Sequence, residues 1–232
     1  DTNMENLAQI GKKYPTTKNR TGFIPIYESY FDCLREKEIN ILEIGVDKGD
    51  SLRLWRDYFT KAKICGLDIV KKDFSINNVE IFCGDQSDHN FLSKIVEKYG
   101  KFDVIIDDGC HVSKHIISSF NYLFDYLSEN GLYIIEDLQT SYIPRFGGSR
   151  LNLNKKKTSM NFIKTLSDSI NYEHNDKPFF KKSIYDGKIK SVHFYQNISI
   201  IRKGESVKYF YNENQKVKLL DKVKKLCSLI FS

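Results

Sequence analysis

Phe102-Asp103-Val104-Ile105-Ile106-Asp107-Asp108-Gly109-Cys110-His111 decides the reading of this 232-residue chain. A short apolar run stops abruptly at two acids, as a buried strand does when it delivers polar side chains at its carboxyl end. A second stretch, Gly131-Leu132-Tyr133-Ile134-Ile135-Glu136-Asp137, repeats the pattern. Neighbouring strands would bring these ends to roughly 5 Å from each other. Three or four carboxylates then crowd one spot, which is unfavourable unless a cation or protons neutralise them. His111 follows shortly after Asp108, completing the outline of a metal-assisted site.

Outward from these runs, the hydrophobic spacing predicts strands over 39–44, 63–69, 79–83, 102–106 and 131–135. Between them it predicts helices over 51–59 and 91–99, and a third with Val112, Ile116, Phe120, Leu123 and Leu127 on one stripe. Strands alternating with helices imply a parallel sheet with right-handed crossovers and ligands beyond the carboxyl ends of the strands. Residues 141–154, with Pro144 and the Gly147-Gly148 pair, form an irregular loop long enough for a lid. A helix is expected over 155–172. Strands over 190–194 and 198–202, flanking Tyr195-Gln196-Asn197, are expected to end the sheet as an antiparallel hairpin. The expected fold is α/β: a Rossmann-like, mostly parallel, seven-stranded sheet with helices on both faces. Three parts are expected: a helical substrate or interface segment over 1–38, the Rossmann-like domain over 39–204, and a basic helix in 205–232. In the first part Leu7, Ile10 and Tyr14 have helical spacing, 15–22 is a loop, and the aromatic-rich helix over 24–34 carries Tyr27, Tyr30 and Phe31 as core or interface.

The composition, 41% hydrophobic and 28% charged, is that of an ordinary soluble domain. No apolar run approaches the ~20 residues of a membrane-spanning helix, and no secretory signal is visible. The five cysteines are scattered without a CxxC pair, which argues against zinc ribbons and disulfide scaffolds; a reduced, cytoplasmic protein is expected. The net charge of +6 is uneven. Residues 151–232 hold 17 Lys and Arg against 7 Asp and Glu, and residues 1–150 hold 19 against 23. The basic part is either a solvated lysine-rich face or an attractor of anions.

The first strand runs into Glu43-Ile44-Gly45-Val46-Asp47-Lys48-Gly49 and then a helix that opens with Ser51. The glycine spacing is GxxxG, not the GxGxxG of dinucleotide sites, which disfavours an NAD-dependent dehydrogenase. Asp68 ends the second strand, where an acid usually accepts ribose hydroxyls. Asp85 follows the third, placed for an adenine edge. Asp107 has two readings, a turn cap and a contact to cofactor.

At this point the chain resembles class I methyltransferases that use S-adenosylmethionine, and most closely the metal-dependent sugar O-methyltransferases of the macrocin and mycinamicin type. The resemblance covers roughly residues 6–204. It rests on Ile41-Leu42-Glu43-Ile44-Gly45-Val46, Ser51-Leu52-Arg53-Leu54-Trp55, Gly66-Leu67-Asp68-Ile69, Gly84-Asp85-Gln86-Ser87-Asp88 and the two acid-ended runs. It implies a cofactor site of Glu43, Gly45, Gly49, Ser51, Asp68, Asp85, Gln86 and Asp107. It also implies Mg²⁺, with Mn²⁺ as substitute, on Asp108, Glu136 and Asp137, and His111 with Asp108 as the catalytic pair, His111 being the general base. The alternative for those three acids is a protonated or lysine-paired cluster. Cys110 stands where Ser is more usual. The substrate loop, usually Thr-Asp-Lys with a downstream His, reads Thr16-Thr17-Lys18 with Thr21 at the His position. His115 reads as a neighbour of the site or a surface residue, and His193 as a sheet residue.

The expected reaction is Mg²⁺-dependent methylation of a sugar hydroxyl, on a nucleotide-linked sugar or surface-polysaccharide precursor. Alternatives are another small acceptor (antibiotic or catechol-like) and an RNA methyltransferase using the lysine-rich end. No nucleic-acid partner and a homo-oligomer are expected. The chemistry suits the residues: a hard cation on oxygen ligands stabilises a forming alkoxide, and a neutral imidazole takes the proton.

Overall fold

The structure, a computed structural model, describes residues 4–174 and 182–205. A seven-stranded sheet forms the middle layer, with strand order β3-β2-β1-β4-β5-β7-β6. The strands are β1 (Asn40–Ile44), β2 (Lys63–Asp68), β3 (Val79–Cys83), β4 (Phe102–Asp107), β5 (Leu127–Ile135), β6 (Ile189–Tyr195) and β7 (Ile198–Lys203). The first five pair in parallel; β7 runs antiparallel to β5 and to β6. This is the expected Rossmann-like sheet with its antiparallel hairpin, turned by Gln196 and Asn197, the latter at φ 64°. Asn tolerates that left-handed geometry.

Two apolar layers sandwich the sheet. On one face α1 (Leu7–Gly11), α2 (Phe23–Phe31) and α3 (Asp50–Tyr58) pack around Trp55, Tyr27, Phe31 and Phe59. On the other, α4 (His89–Tyr99), α5 (Ser113–Leu123) and α6 (Ser159–Ile170) cover Phe120, Tyr133 and Leu166. Tyr27 and Phe31 are thus core, and Tyr30 bonds through its hydroxyl to His193 Nδ1 and to the Tyr195 hydroxyl, 2.8 Å away. His193 lies in β6, as expected of a sheet residue.

Several boundaries differ from the sequence reading; α2 ends at Phe31 and passes into a 3-10 turn over Asp32–Leu34. Leu127 belongs to β5 and not to the stripe of α5, which ends at Leu123 and passes into a 3-10 turn. Phe102 pairs with Leu127 but Val104 with Leu132, so 128–131 form an excursion that hides the strand's beginning from a periodicity count. Lys203 Nζ closes this corner on the carbonyls of Phe124 and Leu127, both at 2.8 Å. Helix α6 starts at Ser159, not at 155, because the Thr158 side chain caps it by accepting from Asn161 N at 3.2 Å. The loop over 141–154 contains two short 3-10 turns, Leu138–Tyr142 reaching into it and Pro144–Phe146. The helix expected over 217–231 lies outside the described residues. Among the described residues no helix is long and apolar enough to cross a membrane, and Cys33, Cys65, Cys83 and Cys110 are free.

Trp55 ties the N-terminal helices to the sheet. It is fully buried, with ring centroids of Tyr27 at 5.0 Å and Phe31 at 5.4 Å. Trp55→Ala is expected to lower unfolding stability by about 3–5 kcal/mol in urea titrations. A loss below about 1 kcal/mol would mean that α2 is not packed on α3 as described.

Candidate active site

The carboxyl ends of β2, β1, β4 and β5 lie level. Ile44 pairs with Leu67 on one side and with Asp107 on the other, and Asp107 pairs with Ile135. The ladder runs on past the strand ends through Gly45 N to Leu67 O, Asp108 N to Ile44 O and Glu136 N to Asp107 O. Gly45, at φ 92°, is required here: a Cβ would stand 2.0 Å from the Asp108 carbonyl oxygen. Its bareness makes room for the backbone that follows β4.

A cavity of about 710 Å³ opens above these ends. Its wall includes Gly45, Ser51, Asp68, Asp85, Gln86, Asp108, His111 and Asp137 from the predicted set. Glu43, Gly49, Asp107 and Glu136 do not line it. Gly49 is the left-handed cap of α3, packed against Phe74 and Ile76. Asp107 is buried at 1% exposure and takes bonds from Gln86 Nε2 at 3.1 Å and Ser119 Oγ at 3.0 Å. Burial pushes its carboxyl up, against those two donors. Its position corresponds to the turn-holding reading, not to a cofactor contact. Gln86 is equally committed, since its Oε1 accepts from Cys110 N at 3.1 Å.

Asp68 is set for an acceptor's role. Its Oδ2 accepts from Val46 N at 2.9 Å, Asp47 N at 3.1 Å and Lys72 Nζ at 2.9 Å, and Oδ1 from Val70 N at 2.9 Å. Burial opposes its ionisation, but these donors outweigh it and hold the carboxyl below the usual range. Ile69 and Val70, both on the cavity wall, expose 64% and 60% of their surface. They offer an apolar platform beside the acid. Asp85 is also held low, by the Ser87 N–H and hydroxyl.

The acids at the ends of β1, β4 and β5 meet a lysine that the sequence reading left in its loop. Lys18, 1% exposed, places Nζ 2.8 Å from Asp108 Oδ2, 2.8 Å from Glu136 Oε1 and 3.3 Å from Glu43 Oε1. Burial alone would discharge this ammonium. The three carboxylates outweigh burial and hold its pKa well above the ordinary lysine value. One ammonium faces three acids, of which Glu43 and Glu136 are buried, and both of these are raised. Burial pushes Glu136 up to about 8, with Lys18 opposing and Asp108 adding to the rise. The Tyr27 hydroxyl donates to the same Glu136 oxygen, and Ser51 Oγ donates to Glu43 Oε2 at 2.8 Å. Ser51 therefore spends its hydroxyl on Glu43.

Around the cavity a second grouping stands free of Lys18 except at Asp108. Asp108, His111 and Asp137 each bring a ligand atom within 4.8 Å of the others. His111 Nε2 is 3.4 Å from Asp137 Oδ2. Relative to the predicted metal set, Asp108 and Asp137 come together as expected, while Glu136 turns inward to Lys18 and Tyr27 and His111 enters. Backbone strain concentrates here too. Asp47, His111 and Asp137, all on the cavity wall, have φ of 44°, 56° and 55°, whereas the other non-glycine residues with positive φ among those described are asparagines. At Asp137 the left-handed conformation aims successive acids in opposite directions, Glu136 into the protein and Asp137 into the cavity.

The alternative of a lysine-paired cluster holds for Asp108 and Glu136; what the sequence reading missed is that Lys18 is the lysine and that the core residue Tyr27 bonds Glu136. The available signal was the charge imbalance: strand ends with a surfeit of acids demand a buried cation, and the loop over 15–22 holds few candidates.

No family profile matches the chain. Among characterised proteins it is 35% identical over 217 residues to the mycinamicin VI 2''-O-methyltransferase of Micromonospora griseorubida, covering 87% of this chain and 53% of that one. It is 34% identical over 210 residues to the demethylmacrocin O-methyltransferase of Streptomyces fradiae, covering 86% and 53%. The MycE methyltransferase of the mycinamycin biosynthetic pathway, solved with Mg and SAH, superposes with a TM-score of 0.82 at 33% identity, over 89% of this chain and 55% of that one. The chain spans about half the length of the relatives it matches. A putative ribosomal RNA methyltransferase from Plasmodium falciparum, 17% identical with a TM-score of 0.54, shares the fold alone. This chain is a class I methyltransferase-fold relative of the macrocin- and mycinamicin-type sugar O-methyltransferases.

Proposed function

We propose that the chain transfers the methyl group of S-adenosylmethionine to a hydroxyl of a sugar carried on a glycoside, with a divalent cation at the strand ends. The observation that carries this reading is the meeting of Asp108, His111 and Asp137 within 4.8 Å at one end of a cavity whose other wall holds Asp68. The relatives are named for methylation of sugars on antibiotics, and one of their solved complexes contains Mg, SAH and mycinamycin VI. None is named for a nucleotide sugar or a polysaccharide precursor, so a glycoside replaces those as the proposed acceptor. The basic residues that suggested an anionic acceptor fall partly beyond the described ones.

The residues fit both groups. Asp108 and Asp137 are hard oxygen donors that lie within reach of one another at the cavity wall, the ligand type a divalent cation needs. When bound, such an ion stabilises a sugar oxygen as it loses its proton. Asp68, with its charge fixed by backbone donors, suits the ribose, with Ile69 and Val70 beside the base. His111 accepts the hydroxyl proton as the O–CH₃ bond forms and the C–S bond breaks, its electrons going to sulfur. Asp137 lies close enough to Nε2 to steady the imidazolium that results.

A mass-shift assay with labelled cofactor, Mg²⁺ and a panel of glycosides and nucleotide sugars tests the reading. Methylated glycoside is expected; a methylated nucleotide sugar would overturn the acceptor, and a methylated nitrogen the reaction. S-adenosylhomocysteine is expected to raise the melting temperature, by about 2.7 kcal/mol of stabilisation at a hundred times its Kd. NAD should leave it unchanged. Exhaustive treatment with EDTA should abolish turnover, and Mg²⁺ or Mn²⁺ should restore it; full activity in metal-free buffer would remove the ion. His111→Ala is expected to lower kcat by about 10²–10⁴ while S-adenosylhomocysteine affinity stays within twofold. Wild-type turnover in that variant would exclude His111 as the base.

A further inference from the structure

Lys18 ties the loop ahead of α2 to three strands at once. Its Nζ spans Asp108 from β4's end, Glu136 from β5's end and Glu43 in β1, and the side chain is sealed from water. The loop behind it is built to keep that reach. Thr16 caps the short turn Thr17–Asn19, and Asn19 Nδ2 bonds the carbonyls of Gly11 at 2.9 Å and Tyr14 at 3.0 Å. Pro15, Thr16, Thr17 and Arg20 form cavity wall above it. The ammonium therefore fixes both the acids and the cavity's upper rim.

The same acids are those a divalent ion would use. Asp108 Oδ2 belongs to Lys18, and Asp108 also belongs to the group with His111 and Asp137. Glu136, which the sequence placed with the metal ligands, is held away by Lys18 and Tyr27. Two cations close to one carboxylate repel each other and compete for its lone pairs.

We infer that Lys18 is a tethered counter-ion that assembles the strand-end carboxylates and competes with the divalent cation for Asp108 and Glu136, so that loading the ion loosens the loop 15–20. Lys18 is a positioning residue in this role: it acts through the acids and the rim. The inference rests on the metal reading above, and replaces a static site with an exchange of one cation for another.

The test is Mn²⁺ binding to the whole chain without cofactor, read by calorimetry, for wild type, Lys18→Met and Lys18→Arg. Lys18→Met should bind Mn²⁺ at least tenfold more tightly than wild type and should lose melting temperature when metal-free, a loss that Mn²⁺ reverses. Lys18→Arg should stay within about threefold of wild type. Equal or weaker binding by Lys18→Met, with wild type binding, overturns the inference and leaves the metal reading standing. Absence of binding by all three proteins overturns both. Amide exchange of the wild-type chain supplies a measurement free of any variant's folding. Faster exchange at residues 16–20 on saturation with Mn²⁺ supports the exchange of cations; unchanged or slower exchange overturns it.

Discussion

Parallel pairing in register forces acids together. Ile44, Asp107 and Ile135 are cross-strand partners, so the residues around them at the ends of β1, β4 and β5 converge within a few strand spacings of about 4.8 Å. Glu43, Asp108 and Glu136 then share one lysine. Buried like charges at this spacing cannot all ionise unless cations accompany them. The lysine supplies one positive charge, and burial raises the Glu136 carboxyl even with that lysine beside it. The crowding of acids around Lys18 is thus a consequence of the sheet's register, before any ligand is considered.

That arrangement is maintained against strain. Asp47, His111 and Asp137 sit in the left-handed region, which costs about 1–3 kcal/mol for each residue held there. What over-determines them is rigid. Asp47 N is tied to Asp68, Thr140 N and Oγ1 bond back to the Asp137 carbonyl, and Leu138 N reaches Asn197 O across the hairpin turn. The antiparallel β6–β7 hairpin therefore does more than complete the sheet: its turn anchors the residue after Asp137. The aromatic cluster of Tyr27, Phe31 and Trp55 holds α2 so that the Tyr27 hydroxyl meets Glu136. A core side chain and a site hydrogen bond belong to the same residue.

The sheet was legible because its strands are buried on both faces, and continuous runs such as Val104-Ile105-Ile106 have few other readings. The acids at their ends were legible for the same reason, as abrupt polar stops. Two kinds of feature were not. One was local geometry that periodicity ignores: the excursion over 128–131, and the Thr158 cap that shortens α6. The other was partnership. Nothing in the string says that Gln86 spends both ends of its carboxamide on Asp107 and Cys110, or that Ser51 serves Glu43. Residues expected as ligand contacts also bond to their neighbours in the site. Lys18 lies 90 residues from Asp108, and only the folded chain joins them.

The cavity wall is drawn from two separate parts of the chain. Every group proposed to hold the methyl donor or the ion, or to take the proton, lies between Glu43 and Asp137, beyond the ends of parallel strands, while Lys18 reaches them from the loop ahead of α2. The cavity's upper rim, Pro15 to Arg20, comes from a different part of the chain and departs from the family's Thr-Asp-Lys pattern at Thr17 and at Thr21. A carboxylate at position 17 would have added a fourth acid near the cluster; threonine does not. Thr17 therefore adds no charge to the rim above the strand-end acids. Differences in acceptor among such proteins are expected to trace to this rim and to whatever else closes the cavity, because the strand ends are fixed by register and leave little to vary.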